Sequence, residues 1–316
     1  MSGVGGAPAK ATREAFGEAL LRIGADPRIV VLGADLNKST KADAFAARYP
    51  ERFFELGVAE HNMIGTAAGL ALAGKIAWCS SFACFVAGRF ETIRLSVCYS
   101  GANVRIVGSH AGVGIGEDGY SQMGLEDIAM MRSLPTMTVL QPADDVETER
   151  MVEYLVEPLI GPVFLRLVRQ KVERVHAPDY RFQFGKADVL RDGGDLAILA
   201  TGGTVAHALH AAERLEADGV RAGVVNVHTI KPLDVDCVVD LARKTSRLMT
   251  VEDHSIVGGL GGAVAETLAE RHPTRLHRVG VRDVFGESGT PEALYAQHHL
   301  DAPGIREEAL AFLGRT

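Results

Sequence analysis

Short apolar runs rich in β-branched residues alternate along this chain with segments whose apolar residues recur every three or four positions. The runs at 29–32, 104–107, 137–140 and 163–165 read as buried strands. The segments at 12–23, 60–73, 85–100 and 144–156 read as amphipathic helices. Such alternation is satisfied by a parallel sheet covered on both faces by helices. The rhythm lapses in a polar stretch at 169–184 containing Pro178, which reads as a linker, and then resumes. Strands are expected at 196–200, 222–227, 248–251 and 279–281, with helices at 205–217, 234–243 and 262–271. The chain is therefore expected to be α/β, with a second, smaller α/β domain after the linker. Its 316 residues suffice for two cores.

Composition narrows the partners. The net charge is −7, and Lys and Arg are scattered among acids without forming a stripe, which argues against nucleic acid and anionic membranes. Residues 1–13 are Gly- and Ala-rich and lack the apolar core of a signal peptide. The most apolar stretch, 63–73, stops at Lys75, short of the roughly 20 residues that span a bilayer. Four cysteines show no CxxC spacing, which suits reduced thiols. A cytoplasmic protein is expected.

Three segments hold the residues with chemistry to offer. In FFELGVAEHNM, residues 53–63, a short strand ends just before a long helix, placing Glu60 in that helix's first turn. The helix dipole favours a carboxylate there by a fraction of a kcal/mol, so the position suits an ordinary N-terminal residue as well as a working acid. In CSSFACF, residues 79–85, Phe82 and Phe85 stand at a strand-to-helix junction; they either pack in the core or face a flat ring together. In SHAGVGIGEDGYSQ, residues 109–122, glycines, two acids and His110 follow directly on a strand. Ligands of open α/β sheets bind at the carboxyl ends of strands, so this reads as a binding loop, with His110 open between a structural ring and a ligand. The segment carries neither a Walker sequence nor a dinucleotide glycine pattern. A second glycine cluster, 258–262, reads as a tight turn with close helix packing rather than a phosphate site.

Taken in order, GVAEHNM, the Phe82/Phe85 pair, HAGVGIGEDG, SLPTMTVLQPAD and EDHSIVGGLGGAVAE closely resemble the middle and C-terminal domains of transketolase. The likeness runs from Ala11 to about Phe312. It implies a thiamine-diphosphate pyrimidine-binding domain over residues 1–184, linker included, and a transketolase C-terminal domain over 185–316, and it implies thiamine diphosphate as cofactor. Glu60 resembles the glutamate that shares a proton with N1′ of the aminopyrimidine, favouring the imino tautomer whose exocyclic nitrogen takes the thiazolium C2 proton. The cofactor then serves as electron sink while a two-carbon unit passes from a ketose to an aldose.

Other roles follow from the same resemblance. Phe82 and Phe85 look like the aromatics that pack on the aminopyrimidine, and Asp35 and Leu36 like a segment bordering the cofactor. Arg13, Ser39, His110 and Arg169 look like the set that holds a sugar's phosphate; all four can donate to its oxygens. Asp118 resembles a residue that reads a substrate hydroxyl. Gln122 stands where a histidine near the reacting carbons is often found, and an amide can donate a hydrogen bond but cannot shuttle a proton. Gly88 replaces a frequent aromatic. Glu60 and His110 are thus the expected catalytic residues.

The family's N-terminal domain, with its GDG…N metal motif, has no counterpart. The nearest string, RDGGD at 191–195, has no fitting downstream Asn. Mg²⁺ takes oxygen ligands shared with the diphosphate, so a partner chain is expected to bind both, this chain holding no metal. The resemblance implies the C-terminal subunit of a split transketolase, in a two-fold heterotetramer acting on sugar phosphates. Two alternatives stand beside it. One is a subunit of a deoxyxylulose-phosphate synthase-like or 2-oxo-acid dehydrogenase beta-like thiamine enzyme; the other is a non-catalytic regulatory subunit.

Overall fold

Strand burial along the first half follows a period of two, and both faces of the resulting sheet are covered. Val30, Leu32, Ala77 and Cys79 point into one layer with Met63, Ile64 and Ala67. Their neighbours Ile29, Val31, Ile76 and Trp78 point into the other with Phe16, Leu20 and Phe45. The computed structural model describes residues 10–157 and 161–315; residues 1–9 of the Gly- and Ala-rich N-terminus lie outside them.

Seven described strands build the first sheet in the order Thr229–Lys231, Thr138–Leu140, Val163–Arg166, Val104–Ser109, Ile76–Phe82, Ile29–Gly33 and Phe53–Glu55. All pairings are parallel except that of Thr229–Lys231, which runs antiparallel. The second sheet has the order Arg275–Val281, Arg247–Ser255, Leu196–Ala200, Ala222–Asn226 and Asp188–Arg191, the last antiparallel. Ile198 and Ala200 face Val205 and Ala208 on one side; Ala197 and Leu199 face Val238 and Val264 on the other. The fold is thus the expected α/β pair, with the parallel sheet first.

The helices Thr12–Ile23, Glu60–Leu72 and Asp145–Tyr154 lie where periodicity places them. Asp144 caps the last, accepting the Glu147 N–H at 2.8 Å, while Glu147 reaches back to the Ala143 N–H at 2.7 Å. A cap of this kind stabilises a helix by about 1 kcal/mol.

Differences have local causes. The strand Ile76–Phe82 registers in the sequence only as the junction at Phe82, because its Ala, Cys and Ser residues blur the β-branched signal over the rest. The single helix expected at 85–100 is instead Ala83–Ala87, Phe90–Thr92 and a π-helix, Ile93–Tyr99. It breaks at Gly88, a poor helix residue, and at Arg89 with φ −99° and ψ 33°. The edge strands Asp188–Arg191 and Thr229–Lys231 are too short for a pattern to register. Thr229–Lys231 belongs in chain order to the second half yet completes the first sheet.

The polar stretch read as a linker holds a buried charge cluster. His176 Nδ1 lies 3.0 Å from Asp144 Oδ2, and its Nε2 lies 3.3 Å from Asp188 Oδ2 and 3.9 Å from Glu147 Oε1. Tyr180 donates to Glu147, as does Asn226, and the His228 ring stands 4.0 Å from the same carboxylate. Burial alone would lower the His176 pKa, but the Asp144 and Asp188 bonds and the Glu147 charge override it and raise it to about 10. A histidine with a folded pKa above its unfolded value of about 6.5 adds stability that is complete below that pH and lost as pH climbs toward the folded value. His176→Gln should therefore lower Tm most near about pH 6, with the gap from wild type closing toward about pH 10. A gap that stays constant across that window would remove His176 as the titrating group.

Candidate active site at the carboxyl ends of the first sheet

Five adjacent parallel strands deliver the candidate residues from their carboxyl ends. In sheet order, Arg169 follows Val163–Arg166, His110 follows Val104–Ser109, and Phe82 and Phe85 close Ile76–Phe82. Asp35, Leu36 and Ser39 follow Ile29–Gly33, and Glu60 follows Phe53–Glu55. Neighbouring strands are about 4.8 Å apart, so the set spans about 20 Å along one sheet edge. Arg13 joins them from the first turn of Thr12–Ile23, because Thr12 Oγ1 accepts the Val168 N–H at 2.9 Å beside Arg169.

Glu60 is the first residue of its helix and is only 5% exposed. Ser81 Oγ donates to its Oε1 at 3.1 Å, and among the described residues this is its one hydrogen bond. A carboxylate at a helix start, buried but with an oxygen to spare, is poised to bond a further donor. Phe82 and Phe85 stack at 5.6 Å with their planes 10° apart. Phe82 is buried and also stacks on His110 at 3.8 Å, so the open aromatic surface is mostly that of half-buried Phe85.

His110 sits in the left-handed region, φ 57°, as does Asp35 at φ 61°. Non-glycine residues adopt this conformation at a cost that functional sites often carry. Arg13 Nη1 donates to His110 Nε2 at 3.1 Å. The ring's proton is thereby assigned to Nδ1, which faces Ser109 Oγ at 2.8 Å. Burial first, then the charges of Arg13, Arg169 and Lys41, push the His110 pKa down to about 3. Burial and the Arg169 charge likewise lower the pKa of Arg13. A neutral imidazole crowded by three cations makes this corner electropositive, a setting that suits an anion.

Other expected site residues fall in more varied places. Ser39 enters through its carbonyl, which accepts from Arg13 at 2.8 Å, rather than through its hydroxyl. Asp118 pairs with Arg169 at 2.8 Å, both partly exposed. Asp35 is exposed, with its N–H bonded to Glu55 at 2.9 Å, and Leu36 packs on the cluster that holds Phe82 and Val113. Gln122 is half-buried, and its carbonyl accepts from Cys84 at 3.2 Å.

Comparison with known proteins gives this arrangement its family. The description "Transketolase, pyrimidine binding domain" matches residues 8–174, and "Transketolase, C-terminal domain" matches 185–305. The chain belongs to the transketolase family. It is 44% identical over 281 residues to the 6-deoxy-6-sulfo-D-fructose transketolase subunit SqwH of Clostridium sp. (strain MSTE9), covering 89% of this chain and 87% of that one. Human transketolase is 39% identical over 302 residues, which are 94% of this chain but 48% of the human one. Among solved structures, a split gene transketolase described as an inactive beta4 tetramer superposes with a TM-score of 0.89 at 48% identity. That match covers 96% of this chain and 98% of the other.

Membership implies thiamine diphosphate and a divalent metal, and the transketolase chain fits the pyrimidine end of that cofactor. Glu60 has an uncommitted oxygen, and Phe85 offers an open ring face nearby. For the metal, no group of three or more His, Cys, Asp or Glu among the described residues is arranged as a ligand set.

Several residues of the candidate site escaped sequence reading. Ser81 and Ser109, which orient Glu60 and His110, are the last or next-to-last residues of their strands, a position that could have flagged them. Lys41 carried no signal. The glycine cluster 258–262 is a close-packed helix start, as expected, and two of its N–H groups are already taken. The buried Glu252 carboxylate accepts from Leu260 at 2.6 Å and Gly261 at 2.8 Å, standing where a phosphate would bind.

Proposed function

We propose that this chain is the C-terminal subunit of a thiamine-diphosphate-dependent transketolase, transferring a two-carbon ketol unit between sugar phosphates. The observation that carries this reading is a buried helix-start carboxylate beside a stacked phenylalanine pair and a cation-lined histidine, all along one sheet edge. The cofactor, when bound, supplies the carbon nucleophile and the electron sink. Glu60 holds a proton at N1′ of its aminopyrimidine, kept in place by Ser81. Phe82 and Phe85 fix the plane of that ring, and Asp35 and Leu36 border it. Arg13, Ser39, His110 and Arg169 hold the sugar's phosphate end, Asp118 orients a hydroxyl, and Gln122 donates a hydrogen bond near the reacting carbons. His110 also serves catalysis as a neutral donor through Nδ1–H or, once an anion displaces Arg13, through Nε2.

The diphosphate and Mg²⁺ are assigned to a partner subunit in a two-fold heterotetramer. The relatives matched along nearly their whole length carry subunit or split-gene names, whereas human transketolase is matched over half of its own. The surface along the helix Glu60–Leu72 suits such a partner. Val58 is 82% and Tyr99 88% exposed, and exposed Leu72 and Leu95 lie on the packed helices Glu60–Leu72 and Ile93–Tyr99. Val58 stands two residues before this helix and Leu72 at its far end, and exposed apolar groups of this size are expected to be covered by the chain that brings the cofactor. Residues 1–184 and 185–316 are proposed as the two domains. A cytoplasmic location is part of the proposal, in keeping with free cysteines; no described helix is long and apolar enough to cross a membrane.

Reconstitution with the partner chain tests the reading. Xylulose 5-phosphate with an aldose phosphate acceptor should be turned over only when both chains are present. Turnover of pyruvate with the ketose left untouched would instead assign a 2-oxo-acid reaction, and no turnover of either would leave a regulatory subunit.

A further inference from the structure

The glycines of HAGVGIGEDG make room for groups from the second half of the chain. A Cβ on Gly112, whose φ is +81°, would lie 2.0 Å from Asp253 Oδ2, and one on Gly114 would lie 2.2 Å from Gln170 Nε2. A Cβ on Gly116, φ +82°, would meet Pro291 at 3.1 Å. Asp253, 2% exposed, accepts the Val113 N–H on Oδ1 at 2.8 Å and the Gly114 N–H on Oδ2 at 3.4 Å. Tyr295 OH donates to the same Oδ2 at 2.9 Å and accepts from Gln170 Nε2 at 2.5 Å. Burial raises the pKa of Asp253, while the three donors that face it among the described residues work in the opposite direction, toward the ionised carboxylate. The network grips the loop on both sides and ends next to Arg169.

We propose that Asp253 and Tyr295 are positioning residues that set the His110 end of the loop, and through Gln170 the neighbouring Arg169, in the geometry that receives the phosphate end of the sugar. Neither residue reaches His110, Arg169 or Asp118 directly, so their effect passes through Val113, Gly114 and Gln170. The C-terminal domain is thereby part of the substrate site's scaffold. The proposal deepens the function given above and rests on it.

Tyr295→Phe keeps the ring and deletes the bridging hydroxyl; Asp253→Asn keeps the shape and removes an acceptor. In the complex with the partner chain, each should raise KM for xylulose 5-phosphate by about tenfold, the effect of one lost charge-assisted bond, while KM for phosphate-free xylulose changes little. Simple loss of folded protein would lower kcat on both ketoses and leave both KM values alone, and that result overturns the proposal, as do wild-type kinetics in both variants. Should Asp253→Asn fail to fold, Tyr295→Phe decides alone. Should the wild-type complex turn over no ketose, the function reading falls instead. Amide exchange at Val113 and Gly114 then decides: faster exchange confined to these positions in Tyr295→Phe supports the loop's dependence on this network, and wild-type exchange refutes it.

Discussion

Replacing Glu60 by glutamine, in the complex with the partner chain, is expected to lower turnover by about a hundredfold to ten-thousandfold, the usual share of a positioned acid–base group. The amide is nearly isosteric and can still accept from Ser81, which now bonds Glu60 Oε1 at 3.1 Å. What it cannot do is carry the proton that N1′ must share. Stability should move by less than about 1 kcal/mol, because the amide keeps the Ser81 bond that Glu60 makes in the fold. Steady-state assays alongside thermal unfolding check both halves of the expectation. Unchanged rates would remove Glu60 from the chemistry, and a collapse in Tm would make the activity loss uninformative about it.

Arg166→Met is expected to destabilise the protein by about 3 to 5 kcal/mol, lowering Tm on the order of 10 °C. Arg166 and Asp127 are both fully buried, with Nε and Oδ2 2.7 Å apart. The same guanidinium donates to the Gly124 carbonyl at 2.8 Å and to the Asp253 carbonyl at 2.9 Å, so it fastens the second sheet to the substrate loop's far end. Burial works against its charge, while Asp127 raises its pKa and keeps it ionised. Removing the cation alone strands the Asp127 carboxylate without water or partner, which is where most of the loss arises. The double replacement Arg166→Met with Asp127→Leu should recover a large part of it, since an apolar pair of similar volume has no charge to desolvate. Calorimetry on the two variants measures this, and equal Tm losses in single and double would place the cost in the lost carbonyl bonds instead.

His110 was legible because it follows Val104–Ser109, a strand buried on both faces that announces itself by composition. Glu60 stood out at a helix start and Phe82 in a phenylalanine pair before resemblance gave them roles, whereas Arg169 was named by resemblance alone. Ser39 was named for its hydroxyl, yet its carbonyl is what meets Arg13; any residue type has that carbonyl. The Gly-rich loop was read as a ligand cradle, and its glycines prove to be spaced by Asp253, Gln170 and Pro291.

Local periodicity and the ordered motifs by themselves determined the α/β class, the two halves, the family and the short segments that carry chemistry. They could do so because burial patterns with periods of 2 and 3.6 are written within a dozen consecutive residues. Only the tertiary structure decided that a strand from the second half completes the first sheet, that three cations crowd His110, and that Asp253 holds Val113 across 140 residues of sequence. The backbone N–H that Asp253 binds is the same in every residue but proline, so no letter at position 113 could mark it.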